Sequence, residues 1–192
     1  MKRSIHLSLI LLAALLLGRG PVRGTQFTPW SVERLTEKAR LVLHGVVVSK
    51  SVQRDDAGRI FTRIELQVTA AWKGTAPGTR FVLVQSGGTL GEETAAVSGQ
   101  EDYDVGEEVV AFLVLNHRNE GVTLGLAQGK FHVSTDPTTR EKLAHNPFHG
   151  RPPETRAAPP PDAPRTPLAL TQLKTRVKGG ANEKPRSTRT PK

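Results

Sequence analysis

The chain has no cysteine among its 192 residues. This absence excludes disulfide bonds, cysteine-ligated zinc and thiol catalysis, so an apolar core must stabilise the folded state. The N-terminal apolar run, residues 5–17, is also short, because a helix that crosses a bilayer needs roughly 20 apolar residues. No grouping of nucleophile, base and acid in the sequence is typical of an enzyme. We therefore expect no catalytic site and no cofactor.

Residues 1–24 have the layout of a secretory signal peptide. Lys2 and Arg3 precede the apolar run, and a glycine-rich stretch that ends at Gly24 follows it. These features predict cleavage after Gly24 and export to the periplasm or the cell exterior. The mature chain is then expected to have no transmembrane span, and an uncleaved membrane anchor is the alternative interpretation.

Residues 60–73 alternate in polarity along almost their whole length. The positions on the more apolar face are Ile60, Thr62, Ile64, Leu66, Val68, Ala70 and Trp72. A period of two is typical of a β-strand with one buried face. At about 3.3 Å per residue this strand is roughly 40 Å long, about twice the usual length, so we expect it to coil within a small curved sheet or barrel.

Four further segments have strand patterns, and they are residues 40–52, 79–85, 107–115 and 122–126, the last with a kinked continuation at 131–133. Gly45 lies inside the first of them and predicts a bulge or sharp bend. Residues 109–115 are apolar without interruption, which is typical of a strand covered on both faces. Thr28 and Pro29 predict the start of a short helix that ends near Lys38. The predicted fold class is therefore mainly β: a five-stranded closed or partly open barrel with a short helix at each end.

The chain divides into regions of different charge and composition. Residues 25–137 form the predicted barrel domain and carry 11 basic and 14 acidic side chains, whereas residues 138–192 carry 12 basic and 4 acidic ones. Ten of the 14 prolines lie in this C-terminal region, which predicts an extended linker over residues 138–165. Spaced apolar residues predict a short basic helix over 166–179, and residues 180–192 are expected to be a disordered basic tail. Such a tail suits contact with anionic surfaces.

Three features of the predicted barrel resemble known families. They are the glycine-bent first strand, the second strand that ends in Trp72-Lys73-Gly74, and the glycine-led fourth strand over residues 105–113. Together they resemble a family of uncharacterised exported bacterial proteins, whose closing segment is similar to residues 125–131, and also the netrin-like OB barrel of the tissue inhibitors of metalloproteinases. The resemblance implies an OB-like barrel with an exported binding role. Those inhibitors bind zinc through an amino-terminal cysteine, so the resemblance does not carry their mechanism to this chain.

The candidate binding residues lie in the loop over residues 86–106 and on the outer face of the second strand. The loop is the longest of the predicted domain, and loops of that length are commonly functional. On the strand, the pairing of an aromatic with an arginine suits nucleic acid on an OB barrel, but export and the net acidity of the domain argue against that ligand. The predicted partner-binding residues are Gly87, Gly88, Glu92, Glu93, Glu101, Asp102, Tyr103, Phe61 and Arg63.

We expect these residues to bind a secreted or envelope protein, and a secreted protease, such as a metalloprotease, is one candidate. Two other functions stay open. The first is an envelope tether that uses the basic, proline-rich tail. The second is a hydrolase whose acid and base come from the carboxylates of the loop, which are Glu92, Glu93, Glu101 and Asp102.

No metal site is expected. The loop segment over residues 102–106 resembles the start of an EF-hand loop, but it lacks the third oxygen ligand and the distal glutamate. His145 and His149 have a helical spacing, and Pro147 between them breaks the helix that would bring them together. His132 lies within a predicted strand and is expected to be a hydrogen-bonded structural histidine.

Overall fold

The computed structural model describes residues 29–75, 78–149 and 167–182. The predicted signal peptide, the predicted helix cap Thr28, most of the proline-rich linker and the tail after residue 182 lie outside the described residues. The described chain is mainly β. None of its helices has the length and apolar character that crossing a bilayer requires.

Eight strands form one mixed sheet, and two more form a separate hairpin. In chain order the strands are β1 (Leu41–Arg54), β2 (Ile60–Lys73), β3 (Arg80–Ser86), β4 (Gly88–Leu90), β5 (Glu93–Ala95), β6 (Glu108–Leu115), β7 (Gly121–Thr123), β8 (Lys130–Thr135), β9 (Lys142–His145) and β10 (Leu168–Ala169). The hairpin consists of β4 and β5. The α-helices are α1 (Val32–Lys38) and α2 (Leu170–Asn182), and a short 3-10 helix covers Leu126–Gly129.

Five strands of the sheet form a partly closed ring. β1 pairs with both β2 and β6, and the ring continues in the order β1-β2-β3-β7-β6. These neighbours are antiparallel except β3 and β7, which meet in parallel at the single pair Leu83 and Gly121. A Cβ atom at Gly121 would lie 2.8 Å from the ring of Phe81, closer than real Cβ contacts. The strand that completes the ring therefore needs a glycine at this position.

β2 covers the range that the alternating pattern predicts. Thr62, Ile64 and Leu66 are buried on the predicted face. The pairing of β1 with β2 shifts in register between His44 and Gly45, which confirms the predicted irregularity at this glycine. The extra residue at this shift is Thr69 of β2, and a bulge bends the strand that contains it, so β2 can follow the curvature of the ring.

β6 is buried on both of its faces, as its uninterrupted apolar run predicts. Val109, Ala111 and Leu113 point into the ring and join its interior core. Val110 and Phe112 point outward and join a second core that lies between the ring and the helices. β6 therefore connects two apolar cores, one inside the ring and one outside it.

The outer core is covered by α1, α2 and the strands β8 to β10. Leu35 of α1 and Leu173 of α2 are fully buried in it. The two helices contact each other, and the Arg176 guanidinium donates two hydrogen bonds to the Glu33 carboxylate, at 2.7 and 3.0 Å. Ser31 caps the N-terminus of α1 by accepting a hydrogen bond from the amide of Arg34. The C-terminal helix is thus part of the folded unit.

The structure corrects the prediction for residues 122–133. The predicted fifth strand ends at Thr123, because Gly125 and Leu126 take positive φ values of 65° and 58° and turn the chain into the 3-10 helix. Residues after this turn do not continue the fifth strand. They form β8, which pairs with the first half of β6 while β7 pairs with its second half.

Two other regions contain more regular structure than the sequence pattern indicates. The long loop over residues 86–106 includes the β4–β5 hairpin. The sheet also continues beyond Pro137 through β9, in which Ala144 is fully buried and joins the outer core. The N-terminal part of the predicted proline-rich linker is therefore a strand of the main sheet.

Candidate functional site

A cavity of about 350 Å³ lies beside strands β2, β3 and β7 of the ring. Its walls come from the β1–β2 turn, the end of β3, residues 97–101 and the β6–β7 turn. We call it the mouth cavity. Its apolar lining consists of Phe61, Val84, Val97, Val122 and Leu126. This lining can bury one or two apolar groups of a ligand, and polar side chains of the turns surround it.

An aspartate fixes the β1–β2 turn at one side of the mouth cavity. Oδ1 of Asp55 accepts hydrogen bonds from the amides of Ala57 and Arg59, at 3.1 and 2.8 Å. Its Oδ2 pairs with the Arg59 guanidinium at 2.7 Å. These hydrogen bonds, led by that from the Arg59 side chain, lower the pKa of Asp55. The turn is therefore ordered by its own hydrogen bonds, and the charges of Asp55 and Arg59 neutralise each other.

An asparagine has the same role in the β6–β7 turn on the opposite side. Oδ1 of Asn116 accepts hydrogen bonds from the amides of Arg118 and Glu120, both at 2.9 Å. Its Nδ2 donates to Glu120, and Arg63 of β2 donates to the other oxygen of the same carboxylate at 2.9 Å. The Arg118 side chain lines the cavity and has no ion-pair partner in the described ranges.

Residues 99–102 are held against the ring and separate the mouth cavity from its surroundings. The Gln100 side chain donates a hydrogen bond to the Ser86 carbonyl at 2.8 Å. The Gln85 side chain donates to the Glu101 carbonyl at 2.5 Å. Gln85 is buried, and its Oε1 has no hydrogen-bond partner among the residues that the structure describes. These hydrogen bonds hold residues 99–102 in place, and we call this segment the fixed wall.

A network of charged side chains anchors this wall to β8. Lys130 is almost fully buried and pairs with Glu107 at 2.8 Å. Its ammonium also donates to the Asp102 carbonyl and lies 4.6 Å from the centre of the Tyr103 ring. The second oxygen of Glu107 contacts Nδ1 of His132. We call Lys130, Glu107, His132 and Glu101 the ionic clamp.

The other ring nitrogen of His132 completes the ionic clamp by binding Glu101 at 2.6 Å. Hydrogen bonds to Glu101 and Glu107 raise the pKa of His132 to about 9, so the imidazole is charged at neutral pH. Burial alone would raise the pKa of Glu107, but hydrogen bonds from His132 and Lys130 lower it to about 2. The clamp thus alternates two cations and two carboxylates and holds one wall of the mouth cavity in place.

A second cavity, of about 370 Å³, adjoins the mouth cavity and shares Ser86, Val97 and Gln100 with it. Gly87, Gly88 and Asp102 line it together with Lys50, which pairs with Asp102 at 2.5 Å. Backbone and hydroxyl groups supply much of its remaining lining, so it is more polar than the mouth cavity. The glycines predicted to bind a partner therefore belong to this second cavity.

The other predicted binding residues are distributed over several surfaces. Phe61 and Glu101 line the mouth cavity. Glu93 pairs with Arg54 at 2.6 Å on the hairpin. Glu92 is exposed in the turn of that hairpin, and Arg63 pairs with Glu120.

Tyr103 lies in a different environment from the other predicted residues. It is 1% exposed and belongs to the core inside the ring. Its hydroxyl forms a 2.7 Å hydrogen bond with Thr123, and burial raises the pKa of its phenol. Its side chain therefore packs in the core and does not face a partner.

His145 and His149, which have a helical spacing in the sequence, have separate neighbours in the structure. His145 stacks on His132 with ring centres 5.4 Å apart, and His149 stacks on Phe131 at 5.5 Å. Within residues 29–75, 78–149 and 167–182, no group of three or more histidine and carboxylate side chains is arranged to hold a metal ion.

Three residues of the site were not singled out by the sequence. Gln85, Arg118 and Lys130 each occur in a context typical of a surface strand or turn. Their significance depends on contacts with distant parts of the chain, which no local pattern indicates.

The chain matches no protein-family model and no curated protein.

Proposed function

We propose that the protein is an exported, non-catalytic binding module that holds a secreted or envelope protein at the mouth cavity of an OB-like barrel. The observation that carries the proposal is the position of this cavity. In ring order the strands are the first, second, third, fifth and fourth of the ring, counted along the chain. OB barrels have ligand sites on the second and third strands, between the first–second and fourth–fifth loops. The mouth cavity lies between the corresponding two turns.

The lining favours a protein ligand over nucleic acid. Single-stranded nucleic acid is bound by stacked aromatic side chains and by cations that are available to the phosphates. On this face Phe61 is the single phenylalanine of the lining, which contains no tyrosine or tryptophan. Arg63 pairs with Glu120, Arg80 pairs with Glu65, and Arg118 is the one lining arginine without an ion-pair partner among the described residues. An apolar floor with a polar rim is instead suited to an apolar side chain of a partner protein.

The environment of the loop carboxylates favours binding over hydrolysis. Acid and base catalysis needs carboxyl groups that face each other and can exchange a proton with a substrate. Glu93 is paired with Arg54, and Asp102 is paired with Lys50. Glu101 binds His132 in the ionic clamp. Because they are already paired, these three carboxylates stabilise the loop. A secreted protease is then a candidate for the partner protein that the module binds.

Site-specific crosslinking in the producing cells tests the proposal. A photo-crosslinking amino acid at Val97, which lines both the mouth cavity and the second cavity and is 38% exposed, should form an adduct with one other protein. The matched control is the same amino acid at Val105, which is 63% exposed and does not line this cavity. Phe61→Arg should reduce the adduct at position 97 because it places a charge on the apolar floor. The proposal is overturned if position 97 gives no adduct or if both positions give the same adduct in equal amount.

A further inference from the structure

Permanent charges in the mouth cavity are almost completely neutralised within the described part of the protein. Among its carboxylates, Asp55 pairs with Arg59, Glu101 with His132 and Glu120 with Arg63. The lining contains two arginines, Arg59 and Arg118. Arg59 has its partner. Arg118 has no ion-pair partner among the described residues, so one positive charge at the cavity mouth is uncompensated.

The turn that carries Arg118 presents this charge on a fixed backbone. Asn116 accepts hydrogen bonds from two amides of the turn, and its carbonyl accepts a third from Asn119 at 3.0 Å. Asn119 has a positive φ of 60°, a conformation in which asparagine is common among residues other than glycine. Because the turn is already ordered, a ligand that binds Arg118 loses little free energy in ordering the backbone.

We infer that the partner segment carries a carboxylate next to an apolar side chain, with the apolar group in the mouth cavity and the carboxylate on Arg118. This inference rests on the proposed function and specifies the chemistry of the partner. Arginine and a carboxylate form charge-assisted hydrogen bonds, and the contact is strengthened where the apolar group excludes water. A polyanion would need several free cations along a track, whereas the lining offers one arginine without an ion-pair partner among the residues that the structure describes.

Selection from a displayed peptide library tests the inference on the purified protein. The wild-type protein should enrich peptides in which Asp or Glu lies within two residues of Leu, Ile, Val, Phe or Met. The Arg118→Glu protein should instead enrich Lys or Arg at that position. A wild-type peptide resynthesised with Asn or Gln in place of its acid should bind more weakly by up to about fivefold, the upper end of the range expected for one exposed charge pair.

Arg140→Glu is the matched control, because Arg140 also lies in a strand-connecting turn, is exposed, and does not line the cavity. It should leave the enriched sequences unchanged. Peptides that bind wild type and Arg118→Glu equally well, or a library that enriches nothing, would overturn the inference. If peptides without an acidic preference bind, and Leu126→Asp weakens them while Val105→Asp does not, the inference fails and the proposed binding function stands, because Leu126 lines the mouth cavity and not the second cavity. If Leu126→Asp has no effect on any enriched peptide, the mouth cavity itself is the wrong site.

Discussion

Replacing the buried lysine of the ionic clamp should destabilise the protein strongly. In Lys130→Met the side chain keeps nearly its length, so little empty volume is created, but three contacts of the ammonium are lost. They are the ion pair with Glu107, the hydrogen bond to the Asp102 carbonyl and the contact with the Tyr103 ring. Removing one partner of a buried pair costs about 3–5 kcal/mol, because the other charge is left buried without compensation. Glu107 retains His132, so we expect a loss of about 2–3 kcal/mol in the free energy of unfolding.

Urea unfolding followed by tryptophan fluorescence measures this loss. Trp72 is buried in the outer core and should report the transition. The control is Lys142→Met, which removes a surface pair between Lys142 and Glu108 in which the lysine is 48% exposed, and should cost less than about 1 kcal/mol. The double variant Lys130→Met/Glu107→Gln should lose less than the sum of the two single variants, since neither charge is then left alone. If Lys130→Met costs no more than Lys142→Met, the clamp is not a stabilising element and the reasoning is refuted.

Three further predictions concern the pH dependence, the hairpin and the helix pair. The pKa of His132 is raised to about 9, so the stability that this histidine contributes should be complete below its ordinary pKa of 6.5 and should be lost as the pH rises through 9. His132→Gln should abolish this pH dependence of the free energy of unfolding, measured by urea titration at several pH values. Gly88→Ala should lower the free energy of unfolding by more than about 2 kcal/mol, because Gly88 has a φ of 134° and a Cβ atom there would lie 2.6 Å from the Thr62 hydroxyl. Gly91→Ala, at a φ of 63° with open space around the Cβ position, should lower it by about 1 kcal/mol, and thermal unfolding compares the two variants. Arg176→Met should cost about 0.5–1 kcal/mol and return the pKa of Glu33, which is lowered to about 2 chiefly by the arginine hydrogen bond, toward 4.5 in an NMR titration.

The strands that could be predicted are those whose burial repeats along the chain. β2 alternates because it has one inner face, and residues 109–115 are apolar throughout because β6 is covered inside and outside the ring. Each of these two polarity patterns is visible in consecutive residues of a single strand, without knowledge of its partners. The end of β7 could not be predicted in this way, because residues 122–126 continue to alternate in polarity although the backbone turns at Gly125.

The candidate site depended on contacts between distant parts of the chain. Lys130 looks like a surface residue until the pairing of β8 with β6 brings it beside Glu107. The mouth cavity has walls from four connections, each of which is unremarkable in sequence. Residue type and loop length predict Phe61 and Glu101 as binding residues, and both line this cavity. No sequence pattern predicts Arg118, because its significance is that no described residue pairs with it after the other charges have paired.

The position of α2 has a consequence for the order in which the chain can fold. This helix is the last described element, yet it supplies Leu173 and Val177 to the same core as Leu35 of the first helix and Phe112 of the central strand. Before α2 docks, the apolar surface that it covers is exposed to solvent. The outer layer is therefore completed only when α2 is in place, and until then this surface can associate with other apolar surfaces.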